Sequence, residues 1–167
     1  EPMLCFKDSI VPISKQVKAL ASSYNVPFCN MITTNGVLFK KEYISTIKDI
    51  SLNNFQITLD GNQKIHNKTR FSSAYPDSFS TIIKNITMLV SEIDDIEMTL
   101  RINCTEENVD TITDIIPIFS KDVRKRISIF PQLVWQEISK EEKIISSISK
   151  ACREFLNSGY VVTQLDK

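Results

Sequence analysis

Polar residues with the capacity for ligand chemistry recur in this sequence at the ends of short β-branched runs. The run "ITTNG" ends on Thr33, Thr34, Asn35 and Gly36, and the run "QITLDG" ends on Thr58, Leu59, Asp60 and Gly61. A third run carries Arg101 and Asn103 two positions apart, a spacing that places both on one face of a strand. Hydroxyls, an amide, a carboxylate and a guanidinium are the groups that orient a polar ligand by hydrogen bonds and charge. Gly36 and Gly61 let the backbone turn sharply and come close to that ligand. Past Asp60, a polar stretch to Arg70 holds the chain's only histidine, His66. Each group also has an ordinary explanation. Asn-Gly and Asp-Gly are common turn formers, and Asp60 can accept backbone hydrogen bonds in its own turn. Between Lys64 and Lys68, His66 reads as a solvent-facing loop residue.

Whether these groups meet depends on the elements that carry them. The spacing predicts a helix over 13–24, with Val17, Leu20 and Ala21 on one face and Pro12 in its tolerant first turn. A strand is expected over 27–34, a helix over 41–50 and the alternating strand 55–59. A loop over 62–77 leads to the clearest amphipathic helix, 78–92, capped by Asp77 or Ser78. Residues 97–103 alternate as a strand, and Thr105 is placed to cap a helix running to about 119. A strand over 127–130 is ended by Pro131, a helix covers 139–157 with Gly159 at its C-cap position, and a last strand occupies 160–164. Helix and strand alternate throughout. That order predicts an α/β fold with parallel strands joined by right-handed crossovers, either an open sheet or part of a barrel. In both, ligands sit outside the carboxyl ends of the strands, where the three polar clusters fall.

Composition narrows the function classes. The 167 residues, 42% hydrophobic and 24% charged, suit one globular domain over 1–167. Twenty basic residues against twenty acidic ones offer no field for nucleic acid or an anionic membrane. No apolar run is long enough to span a bilayer and no signal peptide opens the chain, so a cytoplasmic location is expected. Cys5, Cys29, Cys104 and Cys152 are widely scattered, without a close metal-type pair, and read as mostly buried reduced thiols. A hydrolytic triad finds no nucleophile elbow, and neither glycine-rich phosphate loop is present.

Several segments resemble, in order, those of radical S-adenosylmethionine enzymes. Glu1-Pro2 is similar to the tail of their G-G-E-P motif, and "ITTNG" to their "TNG" strand. "QITLDGNQKIHNKTR", Gln56 to Arg70, resembles the Q-[IV]-[ST]-L-D-G…H-[DN]-x-x-R segment of the peptide- and protein-maturase branch. That branch includes anaerobic sulfatase maturases and enzymes with a cluster-binding SPASM domain. "FSTIIKNITMLV" and "LRINCTEENVD" continue the pattern. The resemblance implies a partial (β/α) barrel whose 4Fe–4S cluster and S-adenosylmethionine yield a radical that modifies a peptide or protein substrate. It also implies roles: Glu1 on the methionine amino group, Thr34 and Asn35 lining the cavity, Thr58 and Asp60 near the ribose. Arg101 would meet the carboxylate, and Arg70 the cofactor or substrate side.

One departure is large. The C-x-x-x-C-x-x-C cluster motif of the family is absent, and the four cysteines do not match cluster positions. The expectation is therefore a barrel fragment truncated at both ends, beginning at the G-G-E-P glutamate. Neither cluster nor cofactor is expected on this segment, which should be inactive alone. A fragment of that kind exposes a sheet edge near 28–34, through which self-association is expected. The alternative is a non-catalytic α/β binding or interaction module on the same frame; an ordinary metabolic barrel enzyme ranks last.

Overall fold

The structure, a computed structural model, describes residues 1–134 and 141–163. Five parallel strands lie in the order of the chain: β1 (Asn30–Thr34), β2 (Leu52–Leu59), β3 (Glu97–Cys104), β4 (Ile127–Leu133) and β5 (Val161–Val162). Helix α1 (Val11–Ser23) precedes β1, and the helices between the strands are α2 (Ile44–Asp49), α3 (Gln63–Thr69), α4 (Ser78–Glu92), α5 (Lys121–Arg124) and α6 (Glu141–Asn157). The result is an α/β sheet consistent with part of a (β/α) barrel. It is not closed.

Alternation along the strands makes two unlike faces. Register places Ile57 beside Leu100 and Leu100 beside Ile129, all without solvent access. Helices cover this face: α4 buries Phe79, Ile82, Ile86, Leu89 and Val90, spaced three and four apart as a helix facing a core requires. One residue earlier, Gln56 stands beside Thr99 and Thr99 beside Ser128; one residue later, Thr58 stands beside Arg101 and Arg101 beside Phe130. Sheets of parallel strands usually have both faces covered and read as continuous apolar runs. Here the second face is mostly polar and carries no helix among the described residues.

Several expectations need correction. The stretch 62–77 is not all loop. Asn62 caps α3 by accepting the Ile65 N–H at 3.1 Å, and the inward residue of this short helix is His66, so no aliphatic periodicity announces it. Thr105 does not cap a helix: the helical segment that follows, Val109–Ile118, begins four residues later with Asn108 at its cap position, is of the tighter 3₁₀ kind and holds Pro117. Strand β4 continues through Pro131 to Leu133. Among the described residues, strand β5 pairs with Ser128 and Ile129 and no described strand flanks Pro131 on that side, where a residue without an N–H is tolerated.

The chain is helical from near its start, with a 3₁₀ turn at Pro2–Cys5 and a π turn at Phe6–Ile10 leading into α1. Strand β1 begins at Asn30, later than 27. The beginning of the helix expected at 139 and the end of the strand expected at 164 lie outside the described residues. Two of the cysteines, Cys5 and Cys29, are exposed, whereas Cys104 is buried and Cys152 half-buried. The shared face of α1 points outward, with Ile13, Val17 and Leu20 exposed. The other side of that helix is tied to the protein by polar contacts. Lys15 pairs with Asp49 at 2.8 Å, Lys18 donates to the Asp49 carbonyl at 2.6 Å, and Ser14 accepts from Asn30 at 3.0 Å.

Candidate functional site

The sharp turn after β1 is set by Gly36, whose φ of +79° suits glycine and whose Cβ would fall 2.7 Å from Ile57 Cγ2. This turn brings Thr34 and Asn35 onto the first residue of the chain. Glu1 Oε1 accepts from the Thr34 hydroxyl and, at 3.1 Å, from the Met3 N–H. Glu1 Oε2 accepts the Asn35 N–H at 2.8 Å. The carboxylate is thus held at the carboxyl end of β1 by three donors, partly as the cap of the first helical turn.

A second assembly forms at the ends of β2 and β3. Asp60 is 5% exposed and receives Arg70 Nε on Oδ2 at 2.6 Å and Asn103 Nδ2 on Oδ1 at 3.1 Å. Arg101 Nε donates to Asn103 Oδ1 at 3.0 Å. Four side chains are thus linked in one line, Arg70–Asp60–Asn103–Arg101, with the carboxylate between two charged or amide donors. Thr58 lies on the open face beside Arg101.

Of the residues expected at the site, Glu1, Thr34 and Asn35 meet one another, and Asp60, Arg70 and Arg101 share the second line. Asn103 is the residue that joins Arg101 to Asp60; its signal in the sequence is its place two residues past Arg101. His66 is the other addition. It is fully buried, and its Nδ1 accepts the Asp60 N–H at 3.1 Å, which anchors the backbone of the central carboxylate. Burial pushes its pKa down to about 4, with Asp60 opposing. The ring is therefore neutral with its proton on Nε2 at neutral pH.

The loop that presents Arg70 is fastened by Asp77. Its carboxylate caps α4 by accepting the Ser80 N–H at 3.2 Å, and it also receives Asn67 Nδ2 at 2.8 Å and Gln63 Nε2 at 3.0 Å. Hydrogen bonds from Ser80 first, then Asn67 and Gln63, hold this carboxyl well below the usual carboxylate range.

Thiol chemistry finds little support. Burial pushes Cys104 up to about 12, so it is no thiolate at neutral pH. Among the described residues no group of His, Cys, Asp or Glu is arranged to hold a metal ion. Also among them, no helix is long and apolar enough to cross a membrane.

No family model and no curated protein sequence matches the chain. Among solved structures, the fold is similar to that of native anSMEcpe with bound AdoMet, an anaerobic sulfatase-maturating enzyme of the radical S-adenosylmethionine type. The TM-score is 0.63 at 16% identity, and the match covers 89% of this chain. The chain spans 43% of the length of that structure. At this identity the likeness is one of fold.

Proposed function

We propose that this chain is part of a radical S-adenosylmethionine enzyme that modifies a peptide or protein side chain, in the manner of sulfatase maturases, and that the cofactor lies across the strand ends and the polar open face. One observation carries the reading. The positions that resemble the family come from separate stretches of sequence, yet they gather at one end of one parallel sheet as two hydrogen-bonded groups. The fold likeness to an AdoMet-bound enzyme supports the same placement.

The donor set suits S-adenosylmethionine. Glu1 supplies a carboxylate for the methionine amino group, with lone pairs left over after its three bonds. Arg101 supplies a guanidinium for the carboxylate, and Thr58 a hydroxyl beside it. Asp60, clamped by Arg70 and Asn103, keeps its carboxylate fixed before a ribose arrives, which lowers the ordering cost of binding. The described residues do not fit a 4Fe–4S cluster, so in this reading its thiolates come from outside these 167 residues, and the chain alone is inactive. When bound with a cluster, the cofactor supplies the hydrogen-abstracting 5′-deoxyadenosyl radical. The polypeptide's share is to bind, orient and exclude water.

The partners in this reading are a peptide or protein substrate and a second copy of the chain. The free edge of β1 contains neither Lys nor Pro to discourage pairing, and the exposed stripe of α1 carries no charge, its lysines being turned to Asp49. Light scattering at rising concentration should show a dimer. Monomer throughout would remove that part of the proposal.

The function is tested on the full reading frame that contains this chain, expressed and reconstituted anaerobically with iron and sulfide. Release of 5′-deoxyadenosine that is lost when the cluster cysteines become alanine is the expected result. An intact protein with no cluster and no deoxyadenosine would instead leave an α/β binding module.

A further inference from the structure

In the proposed function the methionine amino group, the carboxylate and the ribose each have residues to meet them, and the adenine has none. Among the described residues the open face of the sheet holds one aromatic side chain, Phe130 of β4, which stands beside Arg101 as Arg101 stands beside Thr58. The ring is half-buried yet forms no part of the apolar core. Nor does another aromatic ring or a cation pack on it among the described residues. A lone, partly exposed phenyl group is ordinary on an outer surface. This one stands in the row of the polar face that carries Thr58 and Arg101.

A purine has two flat π-faces, and stacking on an aromatic side chain is a strong way to hold one of them. Strands β2 and β4 lie two strand spacings apart, about 10 Å. One nucleoside spans that gap, with its ribose at Asp60 on the end of β2 and its base over β4. Between them Arg101 engages only its Nε, on Asn103, and its terminal nitrogens carry no hydrogen bond among the described residues. The phenyl ring and the guanidinium therefore offer unlike surfaces side by side, one for a flat apolar ring and one for an anion.

We propose that Phe130 is the residue that holds the adenine of S-adenosylmethionine, its ring stacked against the purine on the open face. This assignment rests on the proposed function and completes it with a residue for the base.

The test is equilibrium dialysis on the protein of the full reading frame, reconstituted anaerobically with iron and sulfide. Two probes divide the cofactor: 5′-deoxyadenosine carries the base and ribose, and L-methionine carries the amino acid. Phe130→Ala should weaken 5′-deoxyadenosine by about tenfold, and Phe130→Leu, which keeps apolar bulk without a flat ring, should do nearly the same. Phe130→Tyr should bind it almost as the native protein does, and methionine should bind all of them alike. Unchanged nucleoside affinity in Phe130→Leu overturns the proposal and leaves the proposed function in place. Equal losses of nucleoside and methionine would mark the ring as structural and overturn it too. A native protein that binds neither S-adenosylmethionine nor 5′-deoxyadenosine removes the proposed function and the adenine site together.

Discussion

On the helix-facing side of the sheet, Ile57, Leu100 and Ile129 stand side by side without solvent access, whereas one residue earlier along the same strands Gln56, Thr99 and Ser128 stand side by side on the open face. The strands are the same and the backbone pairing is the same. What differs is what each face meets. One face is dehydrated by helices and holds the fold together through burial and close packing. The other carries hydroxyls, amides and a guanidinium, of which Arg101 and Asn103 are hydrogen-bonded to each other. Parallel sheets closed by helices on both sides have no such division. A face kept polar over three strands is therefore a functional signal that no single residue supplies.

The comparison can be broken by substitutions on either face. The largest effect is expected from Ile57→Ala, which opens a cavity under α4; chemical denaturation should show a loss of about 4 kcal/mol. Next comes Arg70→Ala. It leaves the buried Asp60 carboxylate with Asn103 as its one side-chain donor and should cost about 3 kcal/mol, most of it the penalty for an uncompensated buried charge. If Arg70→Ala is neutral, Asp60 is not the fixed centre described above.

Acid probes the α3–α4 side without mutation. His66 is held below its unfolded value, so the unfolded chain takes up a proton first as pH falls. Its contribution is therefore complete above about pH 6.5 and is lost as pH falls from there toward 4, by on the order of 2 kcal/mol after allowance for screening. Asp77, also depressed, keeps its contribution through that window and loses it only below the usual carboxylate range. Denaturation midpoints measured from pH 7 to 4 should fall in the native chain and stay nearly level in His66→Phe, or in His66→Gln should the larger ring crowd its pocket. The smallest effect is expected from Gln56→Ala on the open face, within about 0.5 kcal/mol. A loss like that of Ile57→Ala would show that the open face is part of the core.

Much of the architecture was legible because its signals are local. Residues 78–92 show apolar positions three and four apart behind an Asp cap, and the structure gives α4 those bounds. Residues 97–103 alternate strictly, and β3 follows. The α3 helix was not legible, since its buried residue is a histidine and its cap, Asn62, reads equally as a turn. The stripe of α1 was legible as a stripe, but periodicity cannot tell which way a helix turns its apolar side. Polar ties from Lys15, Lys18 and Ser14 hold the opposite side of this helix to the protein.

The site divides in the same way. Sequence alone determined that Thr34, Asn35, Asp60 and Arg101 would stand at or near the ends of parallel strands, because strand order and side-chain alternation follow from local pattern. Tertiary structure decided which of them touch. Asn103 joins Arg101 to Asp60 only because β2 and β3 lie in one register, and Arg70 reaches Asp60 only because α3 folds back over the strand end. His66 illustrates the limit most clearly. Lys64, Asn67 and Lys68 beside it in sequence are polar and suggest solvent, while its neighbours in space are Asp60 and Phe79. Burial is a property of three-dimensional packing, and a residue's own surroundings in the chain do not set it.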